Sequence, residues 1–282
     1  MKCLITGATG EIGSLVVDSL IALGERPRVF VRDAEKALIR FGDLVDVLTG
    51  DLASLASLKA AFAGIEVVFL VNVGPDLATR DGLAAKVAKA VGVERLIKLS
   101  TMDALQGLAT GAWHARGEAA IRATGIAFTF IEPSGFMSNA LGWAPSIKAE
   151  SIVRSSTGEG RIAFINPRDI AEVAARVMMT REFDGKYLPI TGPEALSYGK
   201  MTEKISNAIR KPLKFQPISD DEARQGMIAR GASAEETEAH ILLWQAIREG
   251  RVVSVTDNVA HILGRNPNTF DQWAEENATS FT

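Results

Sequence analysis

Short apolar runs and amphipathic stretches alternate along the first half of the chain. Cys3 to Thr6 is apolar, and Ile12, Leu15, Val16, Leu20 and Leu23 then recur at helical spacing. Arg28 to Val31 reads as a second strand, about 34–41 as a short helix, and Val45 to Leu48 as a third strand followed by a helix ending near Gly64. Ile65 to Val71 is a continuous apolar run, the pattern of a parallel strand buried on both faces. A helix at about 78–91, a strand Arg95 to Leu99, a helix at about 112–124 and a strand Ile126 to Ile131 complete the series. Six strands alternating with helices predict an α/β fold built on a doubly wound parallel sheet of Rossmann type, with ligands at the carboxyl ends of its strands.

Beyond Pro133 the alternation breaks. Residues 151–155 and 161–165 read as short strands, Pro167 to Met179 as a helix with proline in its first turn, and 186–191 as a strand. Tyr198 to Arg210 reads as helix, 213–218 as extended chain, and most of 219–282 as helix. The expected organisation is a dinucleotide-binding domain over 1–132 and a smaller mixed α/β C-terminal lobe over 133–282 that binds substrate, with some chain crossing back to the sheet.

Composition narrows the function classes. The 282 residues carry a net charge of −3 without a basic stripe, which argues against a nucleic-acid partner. Cys3 is the single cysteine, so neither a disulfide framework nor a cysteine metal site is available, and the three histidines are isolated. With the first strand starting at the second residue and no apolar run near the roughly 20 residues that span a bilayer, the expectation is a cytoplasmic protein without a signal peptide or membrane contact. A homodimer is an open option.

The candidate chemistry begins where the first strand meets the first helix. Gly7, Gly10 and Gly13 stand in a G-x-x-G-x-x-G spacing with Thr9, Glu11 and Ile12 between them. Gly7 permits a sharp turn, Gly10 a close approach to a ligand, and Gly13 close packing of helix on sheet, while the helix start offers free N–H groups to a pyrophosphate. About 20 residues further on, where a dinucleotide fold meets the adenosine ribose, the strand ends in Arg32 rather than an acid. A guanidinium there suits a 2′-phosphate, so NADP(H) is expected, with NAD(H) as the alternative if Asp33 takes the ribose. Asp51 and Leu52 follow the third strand, where Asp51 is placed to meet an adenine amino group or to cap a helix. Val71 and Asn72 close the fourth strand toward the inner ribose, and Ser100 closes the fifth. Lys98 shares a strand face with Ser100 and needs an anion if it is buried.

Gly7-Ala-Thr-Gly-Glu-Ile-Gly13, Val31-Arg32-Asp33, Gly50-Asp51-Leu52, Leu96-Ile-Lys-Leu-Ser100 and Phe130-Ile-Glu-Pro-Ser-Gly-Phe-Met-Ser-Asn139 together resemble the NmrA-like branch of the atypical short-chain dehydrogenases/reductases. Asn166-Pro-Arg-Asp-Ile-Ala171 resembles the family segment leading into a helix under the substrate lobe. The resemblance covers essentially the whole chain. It implies quinone reductases, ether and isoflavone reductases, imine or ketone reductases and cofactor-sensing regulators as relatives.

Other short-chain enzymes carry Tyr-x-x-x-Lys on the helix after the fifth strand. Here the only tyrosines are Tyr187 and Tyr198, and that helix reads Ala112-Trp-His-Ala-Arg-Gly-Glu118. The resemblance places His114 near the catalytic lysine of the ether-reductase relatives. His114 is therefore the candidate general acid, with Glu118 four residues on to orient it or raise its pKa. Trp113, Phe136 and Met137 are candidates to line a pocket for a flat aromatic substrate. The expected function is NADPH-dependent hydride transfer to a quinone or other conjugated carbonyl compound, with an NADP(H)-sensing regulator lacking turnover as the alternative.

Overall fold

The structure is a computed structural model that describes residues 1–108 and 111–282. The chain forms two compact units: Met1–Pro133 with Pro167–Pro189 and His261–Gly264, and Ser134–Asn166 with Ile190–Ala260 and Arg265–Thr282.

The first unit is the alternating half. Its elements are β1 (Cys3–Thr6), α1 (Glu11–Ala22), β2 (Arg28–Val31), α2 (Ala34–Phe41), β3 (Asp46–Thr49), α3 (Leu55–Phe62), β4 (Val67–Leu70), α4 (Leu77–Ala90), β5 (Arg95–Leu99), α5 (Gly111–Arg122) and β6 (Ala127–Pro133). The spatial order is β3-β2-β1-β4-β5-β6, continued by a seventh strand, Lys186–Ile190. All pairings among the first six strands are parallel, and the order reverses between β1 and β4, the switch point of a doubly wound sheet. Leu4, Val68, Leu70, Leu96 and Phe130 point to one face, where Leu58, Phe62, Ala84, Ala88 and Ile121 of α3, α4 and α5 close a buried core over them. β1, β4 and β5 are buried throughout because both of their faces are covered.

The sheet is one strand wider than the alternating pattern alone indicates, because the chain returns through helix Pro167–Met178 and then the seventh strand. This helix packs beside α1 and touches β4 and β5, so it covers the sheet in the first unit instead of serving a separate lobe. Arg95 fastens its end: the guanidinium donates to the carbonyls of Met178 (2.6 Å), Thr180 and Val177 (3.4 Å) and lies 3.5 Å from Asp184. Those are the carbonyls a helix C-terminus leaves without partners, and a cation suits them. Thr129 of β6 binds the Phe183 carbonyl at 2.8 Å and guides the following strand into place.

The second unit is mixed. Strands Ile152–Ser155 and Lys214–Pro217 pair in parallel, and two-residue strands at 161–162 and 196–197 pair antiparallel. Its core gathers Met137, Ile147, Val153, Tyr198, Met201, Ile247, Phe270 and Trp273. Its terminal helices include Asp220–Ala229, Ala234–Arg248 and Phe270–Glu276. Capping boxes from Ser219 with Glu222, Ser233 with Glu236 and Thr269 with Gln272 start these three helices, and each closes two otherwise unmatched amides. Among the described residues no helix is long and apolar enough to cross a membrane, and no group of side chains is arranged to hold a metal ion.

Candidate active site

At the carboxyl edge of β1 the glycines do what a strand-to-helix turn requires. Gly7 has φ +61°, and a Cβ there would lie 3.1 Å from the Val71 side chain. At Gly13 a Cβ would fall 2.1 Å from the Gly7 carbonyl oxygen, so any side chain would force helix and strand apart. Gly10 is less confined, its nearest obstacle being the same oxygen at 3.2 Å. The Thr6 hydroxyl accepts from the Val71 amide at 2.7 Å and donates to the Val71 carbonyl at 2.9 Å, tying the ends of β1 and β4 together.

α1 starts at Gly10 without a side-chain cap, and the first intrahelical bond runs from Ser14 N to Gly10 O at 2.9 Å. The amides of Glu11, Ile12 and Gly13 therefore precede the hydrogen-bonded ladder and face the turn, as an anion site needs. Ile12 contributes its backbone only, since its side chain is buried, whereas Thr9 and Glu11 are exposed. By contrast α2 and α3 are capped by their own side chains: Asp33 accepts from Glu35 N and Lys36 N, and Ser54 accepts from Ser57 N.

The capping settles where Asp33 and Asp51 point. With the Asp33 carboxylate engaged by α2, Arg32 is the exposed group left at the end of β2, and it makes no hydrogen bond or ion pair among the described residues. Asp51 does not cap α3. It closes a local turn by accepting from Ala53 N at 2.8 Å, and Ser54 takes the cap. Leu52 and Val71 are half-buried beside this edge. An uncapped helix start, a turn with no room for a Cβ at Gly13 and a free guanidinium about 20 residues on together fit a dinucleotide phosphate and ribose.

The ends of β4, β5 and β6 form a different environment. Lys98 and Asp81 are both 0% exposed, with Nζ and Oδ2 2.6 Å apart, at an angle poor for a hydrogen bond but close enough for full charge pairing. Asn72 donates to the other Asp81 oxygen at 3.1 Å and to the Leu77 carbonyl at 3.2 Å, so its amide nitrogen is committed to α4. The anion that buried Lys98 requires is therefore Asp81, a residue one helix away that spacing does not reveal. Gly117 makes the pair possible: a Cβ on it would stand 2.5 Å from Asp81 Oδ2.

Next to this pair lie the α5 candidates. Glu118 is buried and accepts the Ser100 hydroxyl; burial raises its carboxyl pKa, while Ser100 and Lys98 pull it back. Glu118 does not raise the pKa of His114. Burial, together with the positive charge of Lys98, lowers it to about 3, and the imidazole Nδ1 is buried without a partner. His114 is thus a neutral imidazole at physiological pH, able to donate an N–H but not a ready proton. Glu132, on the same sheet face at the end of β6, is 0% exposed with neither oxygen hydrogen-bonded; burial and then the like charge of Glu118 push its pKa up to about 8. Asp81, Gly117 and Glu132 escaped the sequence reading. The available signal for Glu132 was a charge inside the apolar run Phe130–Pro133, while Asp81 and Gly117 sit in mixed helical sequence that marks neither.

Trp113 is half-buried in the first turn of α5. Phe136, in the second unit, is half-buried and bridges Ile165. Met137 is 1% exposed in the core of that unit, with its amide bound to the Ile165 carbonyl at 2.9 Å, so it packs the interior and does not line a pocket. His240 is exposed and binds the Glu236 carbonyl through Nδ1.

An uncapped glycine turn at the switch point of a doubly wound sheet defines a dinucleotide-binding protein of the short-chain reductase type. A family model described as NAD(P)H-binding matches residues 7–181. A (4-alkanoyl-5-oxo-2,5-dihydrofuran-3-yl)methyl phosphate reductase of Streptomyces griseus is 34% identical over 99% of this chain and 98% of its own. An NAD(P)H azoreductase of Xenophilus azovorans is 30% identical over 99% of this chain and 98% of its own. The structure of an NADPH-dependent quinone oxidoreductase from Escherichia coli, complexed with NADPH, superposes with a TM-score of 0.88 at 22% identity, covering 97% of this chain and 99% of that one. The chain belongs to the NAD(P)H-binding family, in its NmrA-like branch.

Proposed function

We propose that this protein is an NADPH-dependent reductase that passes hydride to an electron-poor conjugated acceptor, a quinone or a related carbonyl compound. The observation that carries the reading is the neutral His114, its Nδ1 buried without a partner one helical turn before Glu118, on the helix where classical short-chain enzymes place their acidic tyrosine. A saturated ketone becomes a strongly basic alkoxide on reduction and needs a proton donor matched to it. A quinone becomes a stabilised phenolate and needs only a hydrogen-bond donor and correct placement, which a neutral imidazole supplies. The relatives point the same way, since an oxodihydrofuran bearing an alkanoyl group, an azo compound and a quinone are all electron-poor π-systems.

In this reading the backbone at Gly7, Thr9, Gly10, Glu11, Ile12 and Gly13 holds the pyrophosphate and Arg32 pairs the 2′-phosphate. Asp51 and Leu52 border the adenine. Val71, Asn72 and Ser100 border the inner ribose and nicotinamide. When bound, the cofactor supplies the hydride. His114 donates a hydrogen bond to the acceptor oxygen, Glu118 fixes Ser100, and Trp113 contributes aromatic surface to the acceptor. The test is NADPH oxidation measured against a panel of naphthoquinones, azo dyes, enones and saturated ketones. Turnover with the conjugated acceptors and little with the ketones is expected. Equal turnover with saturated ketones would overturn the assignment of a neutral donor, and tight NADPH binding without oxidation by any acceptor would overturn the reductase reading.

A further inference from the structure

Glu132 has no place in the chemistry described so far, yet it is a fully buried carboxyl with both oxygens unpartnered. It sits at the carboxyl end of β6. Its surroundings can be enumerated. Lys98 from β5 is engaged by Asp81 from α4 at 2.6 Å. Ser100 follows β5 and donates to Glu118 of α5, and the Ser100 amide binds the Ile131 carbonyl at 2.7 Å, which sets Ser100 beside Glu132 in the parallel register. Also on α5 are His114, held neutral, and Arg122, whose charge is felt by Glu118 and Tyr187. Tyr187 of the seventh strand feels both glutamates and packs its ring against Phe128 and Phe130. Among the described residues, buried Lys98 is already matched by Asp81, and the Ser100 hydroxyl is directed at Glu118, not at Glu132. An ionised Glu132 would be a second buried anion with nothing to offset it.

We propose that Glu132 is a positioning residue of the reducing site: it is uncharged in the active enzyme, and its ionisation shuts hydride transfer down by placing a second negative charge beside the Ser100–Glu118 hydrogen bond. The inference rests on the reading of this edge as a reducing site. Hydride arrival puts negative charge on the acceptor oxygen, and a nearby uncompensated carboxylate raises the energy of that state more than that of the neutral acceptor. With Glu132 in its acid form, it adds no negative charge beside the Ser100–Glu118 hydrogen bond.

The direction with pH follows from the raised pKa of about 8. Below that value the wild-type rate is level. One pH unit above it about a tenth of the enzyme remains in the neutral form, so kcat/KM with NADPH and a naphthoquinone falls to about a tenth. In Glu132→Gln the group cannot ionise, so the ratio of its rate one unit above pH 8 to its rate at neutral pH stays near one. A merely structural role for Glu132 would not flatten the profile. In parallel, the infrared difference between wild type and E132Q shows a protonated carboxyl C=O stretch at neutral pH that disappears near pH 8. A variant that keeps the wild-type alkaline fall, or a difference spectrum lacking that stretch at neutral pH, overturns the proposal. Should E132Q not fold, Glu118→Gln serves instead: removing the like charge moves the infrared midpoint to lower pH, and an unmoved midpoint overturns the coupling. Failure of every acceptor to oxidise NADPH removes the reducing-site reading and the rate effect with it, whereas the infrared midpoint tests the charge of Glu132 separately.

Discussion

Two regions on the same edge of the sheet are built by opposite means. The turn after β1 works by leaving things out: no Cβ at Gly7 or Gly13, no side-chain cap on α1, and hence bare amides. The ends of β4, β5 and β6 work by burying what folding ordinarily keeps outside, with Asp81, Lys98, Glu118 and Glu132 all out of solvent. The turn depends on three positions within one short segment. The charged cluster depends on five elements, β4, α4, β5, α5 and β6, meeting in register. A change in the first therefore acts locally, while a change in the second leaves an uncompensated charge inside the protein.

The sharpest way to break that contrast is to remove one partner of the buried pair. Lys98→Ala leaves the buried Asp81 without its partner and should cost about 3–5 kcal/mol of stability, measured by chemical denaturation. Replacing both, as Lys98→Met with Asp81→Leu, should recover most of the loss. A single substitution that costs no more than an exposed ion pair would show that the pair is not isolated from water.

At the turn the effect is smaller and steric. Gly13→Ala drives a methyl into the Gly7 carbonyl and should cost about 1–3 kcal/mol together with most of the NADPH affinity measured by calorimetry. Gly10→Ala, with its Cβ at 3.2 Å, should leave stability nearly unchanged. Similar losses at both positions would mean that close packing of α1 on β1 is not the constraint.

His114 probes the cluster through rate and through pH. With His114 as the proposed hydrogen-bond donor, His114→Ala should lower kcat for quinones about tenfold, or about 1.4 kcal/mol, with cofactor affinity unaltered. Its lowered pKa also has a stability consequence. The folded state binds this proton less readily than the unfolded chain does, so the contribution of a neutral His114 is present above the ordinary imidazole range and is lost as pH falls from about 6.5 toward about 3. His114→Leu should flatten that part of the stability profile in thermal melts, and an unchanged acid limb would show that the imidazole is hydrated. The smallest effect belongs to Arg32→Ala, which should weaken NADPH about three- to tenfold and leave NADH unaltered, because an exposed guanidinium is screened by solvent.

Much of the fold is legible locally. β2, α2 and β5 occupy the ranges that their apolar patterns mark, and the strand-turn-helix around Gly7 follows from glycine spacing. The seventh strand and the helix before it are visible as elements, but not as parts of the sheet unit, because the contact that places them is Arg95 reaching the carbonyls of residues more than 80 positions later. In the candidate site, Lys98 is recognisable as a residue needing an anion, since strand alternation puts it on the Ser100 face. That anion, Asp81, is invisible for the reason that made Met137 look like a pocket residue: local sequence carries no information on which side chains meet across a packed face.

What the sequence determines by itself is therefore the alternation that demands a parallel sheet, the glycine turn that exposes helix amides and the absence of the tyrosine that classical short-chain enzymes use. These are properties of neighbouring residues, governed by φ, ψ and the periodicity of burial. Only the tertiary structure decides that His114 is neutral, that Glu118 holds Ser100, that Asp81 answers Lys98 beside Gly117, and that Glu132 carries no compensating partner. Charge states depend on the distance to other charges and on the exclusion of water, and both come into being when separate helices and strands close over the same few ångströms.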